Sequence, residues 1–341
     1  MEKKKRIFYL DFIRALATIL ILMTHYNAKY IYMWDETVMN KVVICWRIAN
    51  LYIGDFGVAL FLIVSGAALM KTYEKGLSVK QFYIKRFWSI YPMFWIAYFA
   101  VFMYSFWVYK GIDQSVPKWS IILSVLGMDG YFNGLIPTYY KLGEWFLGFI
   151  IIFYLFFPIL RLVINKYPLI TAGVIGGIYL LVNCNYSLPM IKSIFLLTRL
   201  PEIAFGMYYV KYFKKNRWDL AVLGLLVIMI NTIVAPAIDK DIQTTYVGIA
   251  AFIFLAYVAD QLQDISLIVR GCGVLSKYSY AIFLTHHYII SNIVVKFDLY
   301  KITVLESYLL FALCCIVIAF WTKVLYEVNS YIVNRIKRLS F

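Results

Sequence analysis

The sequence predicts an all-α fold, a polytopic transmembrane helical bundle of about ten spans with both termini cytoplasmic. Three observations carry that expectation. The 341-residue chain is 63% hydrophobic and only 15% charged, well above the ~45–50% apolar share of soluble domains. Its apolar residues gather into repeated runs, each of about 20 residues, able to cross ~30 Å of hydrocarbon at 1.5 Å per residue, which points to helices rather than a barrel. Lysines and arginines alternate between rich and poor connecting segments, the asymmetry that orients membrane helices.

Taken in order, the runs fall at 7–28, 48–70, 84–109, 145–165, 168–184, 191–211, 219–237, 244–260, 273–295 and 303–329. The first follows the basic start "MEKKKRIFYL", which is like that of a signal peptide. Asp11, Arg14 and His25 come next and no A-x-A-like cleavage site appears, so it reads as an uncleaved span. The fifth run is short, and the sixth is interrupted by "TRLPE" around Pro201. Together the runs consume nearly the whole chain, which leaves one membrane domain over residues 1–341 and no appended globular module. Cys45, Cys184, Cys272, Cys314 and Cys315 lie in or beside these runs without a C-x-x-C pair, and read as membrane filler.

Ten spans put both termini on one side, and the basic residues say which. Lys3, Lys4, Lys5 and Arg6, then Lys71, Lys75, Lys80, Lys85 and Arg86, then Lys211, Lys214, Lys215 and Arg217, then Arg335, Lys337 and Arg338 fall together. With Arg161, Lys166, Arg270 and Lys277 they number 20, against 11 on the other side. The positive-inside rule makes the richer side cytoplasmic, in a multi-pass protein of the cell membrane. The net charge of +15 therefore reflects topology and contact with anionic membrane lipids, and no nucleic acid is needed as a partner.

The first span carries an ionisable seam. Asp11, Thr18 and His25 are spaced by seven, and Arg14 lies three past Asp11 and eleven before His25. At 3.6 residues per turn all four fall in a narrow sector. The residues between them suit lipid, so this sector faces the bundle interior. A charge at mid-membrane costs ~2.5–3.5 kcal/mol, so something must compensate these groups or use them. One reading is structural, an Asp11–Arg14 pair at i, i+3 with a histidine anchored near the outer interface. The other is catalytic. His25 is fourteen residues past Asp11, about 21 Å along the axis, so the seam runs from the cytoplasmic mouth to the outer half of the bilayer and ends on a natural proton acceptor.

His286 and His287 are adjacent in "KYSYAIFLTHHYII" and point to different helix faces, so at most one shares a cavity with His25. They serve either as a polar patch within the packed bundle or as substrate contacts. Three histidines without acidic partners at ligand spacing argue against a metal centre, and none is expected. Ser65 in "IVSGAAL" sits in a small-residue run suited to close helix packing rather than to a nucleophile.

The segments "FYLDFIRALATILILMTHY", "GDFGVALFLIVSGAALM", "FYIKRFWSIYPMFW", "EWFLGFIIIFYLFFPIL", "RLPEIAFGMYY" and "LSKYSYAIFLTHH", in this order, resemble the acyltransferase-3 family of multi-spanning membrane O-acyltransferases. The resemblance covers most of the chain and is nearest to the short members associated with surface-polysaccharide modification or intercellular-adhesin production. It implies transfer of an acetyl or similar acyl group from cytoplasmic acyl-CoA, acetyl-CoA by family habit, to a hydroxyl of a cell-envelope or exported saccharide. No permanently bound cofactor is implied.

The resemblance also implies roles. His25 would be the catalytic base, with Asp11 and Arg14 its companions. Arg86, Lys85 and Lys80 would hold the phosphates of the donor, although the same charges also serve topology. Glu144, Trp145 and His286 would meet the saccharide. Two departures bear on these roles. The family often has R-x-x-R before "IYP", whereas here Arg86 is followed three residues later by Ser89, leaving Lys85 to supply a second charge. Many members carry a glutamate where this chain has Ile150, a role lost here or passed to Glu144. Tyr131, Tyr139 and Tyr140 of the third outer loop are candidates to stack on sugar faces, or to anchor the interface. The alternative function is an exporter or flippase for a polysaccharide or lipid-linked saccharide, with the seam as proton relay; the lack of an internal repeat speaks against it.

Overall fold

The computed structural model describes residues 7–339. Lys3, Lys4, Lys5 and Arg6 of the expected cytoplasmic set lie outside the described residues. The helices in chain order are α1 (Phe8–Ile31), α2 (Glu36–Met39), α3 (Ile53–Thr72), α4 (Val79–Tyr109), α5 (Ile121–Leu126), α6 (Glu144–Lys166), α7 (Pro168–Cys184), α8 (Leu196–Tyr212), α9 (Trp218–Val234), α10 (Lys240–Leu262), α11 (Ser266–Val294) and α12 (Val304–Leu339). A two-residue hairpin, β1 (Arg47–Ile48) with β2 (Leu51–Tyr52), precedes α3. Each expected run is occupied by one helix. Among the described residues seven helices are long and apolar enough to cross a bilayer, and α7 and α9 are apolar but shorter. The fold is thus all-α, that of a membrane protein.

Three local differences from the sequence expectation have physical causes. The second run does not begin helical at residue 48, because Ala49 and Asn50 both take positive φ and close the hairpin, as a tight turn matched to strand twist requires. Pro201 lies inside α8 without breaking it; neighbouring helices re-satisfy freed backbone groups in such bundles. α4 begins at Val79, so Lys80, Lys85 and Arg86 stand on a helix rather than a loop.

A fourth difference concerns the segment between α4 and α6, expected as an outer loop. It turns back into the bundle. Trp95 Nε1 donates to the Val125 carbonyl at 2.8 Å, and Tyr91 Oη to that of Leu126 at 3.3 Å. Trp95 lies fourteen residues before the end of α4, about 21 Å along its axis, so α5 re-enters to that depth. Asp129 is buried there, accepting from Ser124 Oγ at 3.0 Å and from Tyr98 Oη at 3.3 Å. Irregular backbone at membrane depth survives only where protein covers it or it lines a cavity, and these side-chain donors supply the partners that lipid cannot. Tyr131 is consequently core, packed against Gly148, and is not on a surface loop.

α3 is the central post, with 72% of its apolar window buried. It packs against α1, α8 and α10, while α1 also lies along α11. The α3–α8 crossing is set by two glycines. A Cβ added at Gly206 would lie 1.9 Å from the Ile63 carbonyl oxygen, and one at Gly66 would lie 2.1 Å from that of Ile203. Helices with no hydrophobic drive between them associate through such backbone approach. The large apolar side chains left exposed, such as Leu169, Ile233 and Ile316, are those a lipid-facing perimeter presents.

The closeness of this crossing makes a direct test. Gly206→Ala must push α3 and α8 apart at backbone level, and we expect a loss of about 1–3 kcal/mol or more, read as a lowered apparent melting temperature in detergent. Gly173→Ala, where an added Cβ meets nothing within 4 Å, should leave that temperature unchanged or raise it.

Candidate active site

A cavity of about 310 Å³ lies between α1, α3, α4, α6 and α11. Its α1 wall is the expected seam: Arg14, Thr18 and His25 all line it. Arg14 and His25 are eleven residues apart, so the cavity follows α1 for about 16 Å. Ser89 and Ser279 join Arg14 among its lining, and Glu144, Trp145 and His286 join His25. Ile21, Leu22, Val58 and Phe61 form the apolar stretch of wall.

At the α1 amino-terminal end, Ser276 of α11 links the two charged residues of the seam. Its Oγ donates to Asp11 Oδ1 and accepts from Arg14 Nη1 at 3.2 Å. Asp11 and Arg14 are therefore held to α11 at the opposite end of the cavity from His25. Arg14 is too far along the axis to reach a group bonded to His25. Ser65 also lines the cavity. Gly54 faces Thr24 and Gly57 faces Leu20 across the α1–α3 contact, which puts Ser65 about a dozen residues, roughly 18 Å, from the level of His25.

At the other end the residues converge. The His25 ring lies 4.8 Å from that of His286 and 4.7 Å from that of His287, whose rings are 6.4 Å apart. Neighbouring positions on α11 diverge by 100°, and the His25 ring enters the gap between them. Only His286 lines the cavity with His25, as the helix-face argument expects, but His287 is part of the site by another route. Its Nδ1 meets Glu144 Oε1 in direct contact, and its side chain is 43% exposed. Gly143 at φ +89° ends the re-entrant segment and starts α6 on Glu144, where the helix dipole favours a carboxylate.

Glu144 corrects the expectation that the histidines have no acidic partner. Ligand atoms of His25, Glu144 and His287 all lie within 4.8 Å of one another, a grouping that could hold a metal ion. From sequence His287 reads only as half of an adjacent pair; its contact with Glu144 is not visible there, because Glu144 sits on a helix far away in the chain. His286 is fully buried, and its Nδ1 lies 3.0 Å and 2.9 Å from the carbonyls of Ile282 and Phe283. A carbonyl only accepts, so Nδ1 carries the proton and Nε2 keeps its lone pair. That Nε2 is buried with no hydrogen-bond partner among the described residues.

The expected donor-binding residues separate. Arg86 is half-buried one turn before Ser89, its guanidinium 5.5 Å from the ring of Tyr154, which lines the cavity, and 5.8 Å from that of Phe82. Its Nε is buried without a hydrogen-bond partner among the described residues. Lys80 and Lys85 are exposed on other faces of α4 and do not line the cavity.

No curated protein and no solved structure matches the chain. One family model does, described as an acyltransferase domain, and it spans residues 7–328 of the 341. The cavity walls and every residue of the histidine cluster fall within that match, and the chain belongs to the acyltransferase-3 family of membrane acyltransferases.

Proposed function

We propose that this protein moves an acyl group, acetyl or a close relative such as succinyl, from cytoplasmic acyl-CoA to a hydroxyl of a cell-envelope or exported saccharide, with His25 as general base. The observation that carries the reading is the single cavity that joins Arg14, near the amino-terminal end of α1, to His25, Glu144 and His286 near its other end. Basic-residue asymmetry supports a cytoplasmic Arg14 end, in a reading with ten helices crossing and both termini on that side.

The nucleotide of acyl-CoA is anionic and stays in water. Arg86, with an unpartnered buried Nε, is the residue best placed to meet a phosphate at the inner mouth by a charge-assisted bond. Lys80 and Lys85 contribute diffuse attraction from the surface. The pantetheine arm then runs past Arg14 along the apolar wall, carrying the thioester toward His25. Asp11 and Arg14 act at that inner end, Asp11 by fixing Ser276 and Arg14 by lining the path.

At the outer end a saccharide hydroxyl enters beside Trp145. His25 removes its proton as the oxygen attacks the thioester carbonyl. The tetrahedral intermediate collapses with cleavage of the C–S bond, and the imidazolium returns the proton to the departing thiolate, so an ester and free CoA result. Base catalysis supplies about 10²–10⁴ in rate, and alignment of the two reactants adds more. The His287–Glu144 contact places a carboxylate next to the imidazolium that forms, and the free Nε2 of His286 offers a second acceptor for the incoming hydroxyl.

The decisive experiment is reconstitution in vesicles with labelled acetyl-CoA and the envelope saccharide. Label should appear as an ester in the wild type, and His25→Ala should lose at least a hundredfold with its protein level unchanged. Saccharide flux without label transfer would favour the exporter instead. The grouping of His25, Glu144 and His287 permits a metal-centred variant of the same chemistry. Because His287 already engages Glu144 directly, we expect full activity after exhaustive dialysis against a chelator; a loss restored by a divalent cation would reassign these residues as ligands. Arg86→Glu should weaken acyl-CoA binding in detergent by tenfold or more, and unchanged affinity would move the donor site elsewhere.

A further inference from the structure

A second cavity, of about 390 Å³, opens between the last two turns of α4, the residues that follow them, and the strand of chain leading into α6. Nothing in the acyl-transfer chemistry above uses it. Phe102, Ser105, Phe106 and Tyr109 line it from α4, and their i, i+3, i+4, i+7 spacing makes them one face of the helix. Met103 and Trp107, exposed on another face, suit the lipid interface. The cavity face is therefore distinct from the belt. Opposite stand Tyr139 and Lys141, and Asp113 closes the side.

The chemistry of this wall is specific. Aromatic rings, two of them phenols, alternate with one aliphatic hydroxyl, one carboxylate and one ammonium. Ser115 donates to Asp113 Oδ1 from its backbone nitrogen at 2.9 Å and from its hydroxyl, which holds the Asp113 carboxyl below its usual range and keeps it an acceptor. Tyr139 is fixed from below, since Tyr98 Oη donates to its carbonyl at 2.6 Å, and its ring meets that of Phe102 edge-on at 6.4 Å. Such a pocket, apolar faces with a few directed polar groups, suits a ligand with both a C–H face and a rim of hydroxyls. A pyranose ring has both. With one charge of each sign, the pocket selects against neither neutral nor amino sugars.

Two short routes, one along the chain and one through a hydrogen bond, tie this cavity to the histidine cluster. Lys141 is three residues before Glu144, within about 11 Å by chain length. Ser105 Oγ lies 3.2 Å from the hydroxyl of Tyr288, the residue next to His287. His287 is also the cluster's exposed member. A saccharide seated on α4 would thus extend its neighbouring unit toward the His287–Glu144 side of the site.

We propose that this cavity is the acceptor subsite, holding a pyranose unit adjacent to the one that receives the acyl group. The inference rests on the acyltransferase reading and adds to it the place and residues of saccharide recognition. It explains why the re-entrant segment ends where it does: the fold at 118–138 carries Tyr139 and Lys141 to the rim of the pocket.

The test uses cells that make their own envelope polysaccharide, expressing the full chain as wild type, as Gly111→Trp, or as the double variant Phe106→Ala with Tyr109→Ala. Gly111 lines the cavity and an added Cβ there meets nothing within 4 Å, so the new side chain leaves the backbone into open space and its indole occupies the cavity. The two rings of the double variant are exposed, so their loss opens no core void. Ester on the isolated polysaccharide is measured by mass spectrometry, and acyl-CoA affinity is measured on each purified protein. Ester should fall at least tenfold in both variants, with donor affinity within twofold of wild type. A smaller fall in either variant, or a parallel loss of donor affinity, would overturn the subsite. A wild type that forms no ester would instead overturn the acyl-transfer reading itself.

Discussion

The lengthwise contact of α1 with α11 governs this site, because it wedges the His25 ring between two neighbouring imidazoles. Polar groups at this depth have few acceptable surroundings. Lipid penalises them, and water is scarce. Each must find another polar group or face a cavity that substrate will fill. The same helix pair solves the problem at both ends, through Ser276 between Asp11 and Arg14 and through the histidines near the carboxyl end of α1. One surface of contact thereby fixes both ends of the cavity together. Their separation is then a property of helix geometry rather than of any loop.

Much of this was legible in the sequence, for a physical reason. Asp11, Arg14, Thr18 and His25 belong to one uninterrupted helix, and helical periodicity alone converts their spacing into a shared face. The cavity wall they form needed no knowledge of the partner helices. What that spacing could not disclose is which groups arrive from elsewhere. Glu144 and His287 meet only because α6 and α11 approach each other, and the helical-face rule that separates His286 from His287 holds for the backbone while an incoming ring can still touch both.

The re-entrant segment was illegible for a different reason. α5 has only six residues, too few to register as a membrane element, and its neighbours are the small and polar residues that elsewhere mark surface loops. Its depth is decided by Trp95, Tyr91 and Tyr98 reaching across from α4, contacts that no local pattern encodes. Likewise the first turns of α4 carry the basic residues of a loop in composition while being helical in fact, and this is why Arg86 alone turns inward and Lys80 and Lys85 do not.

The glycine-mediated approach of α3 to α8 also constrains how the enzyme can breathe. Where main chain rests on main chain there are no side-chain torsions to absorb a slide. Any dilation of the cavity must therefore be taken up on the facing wall, where Phe146 of α6 and Phe283 of α11 meet with ring centres 5.8 Å apart. There side chain rests on side chain, and the torsions that the α3–α8 post lacks are present.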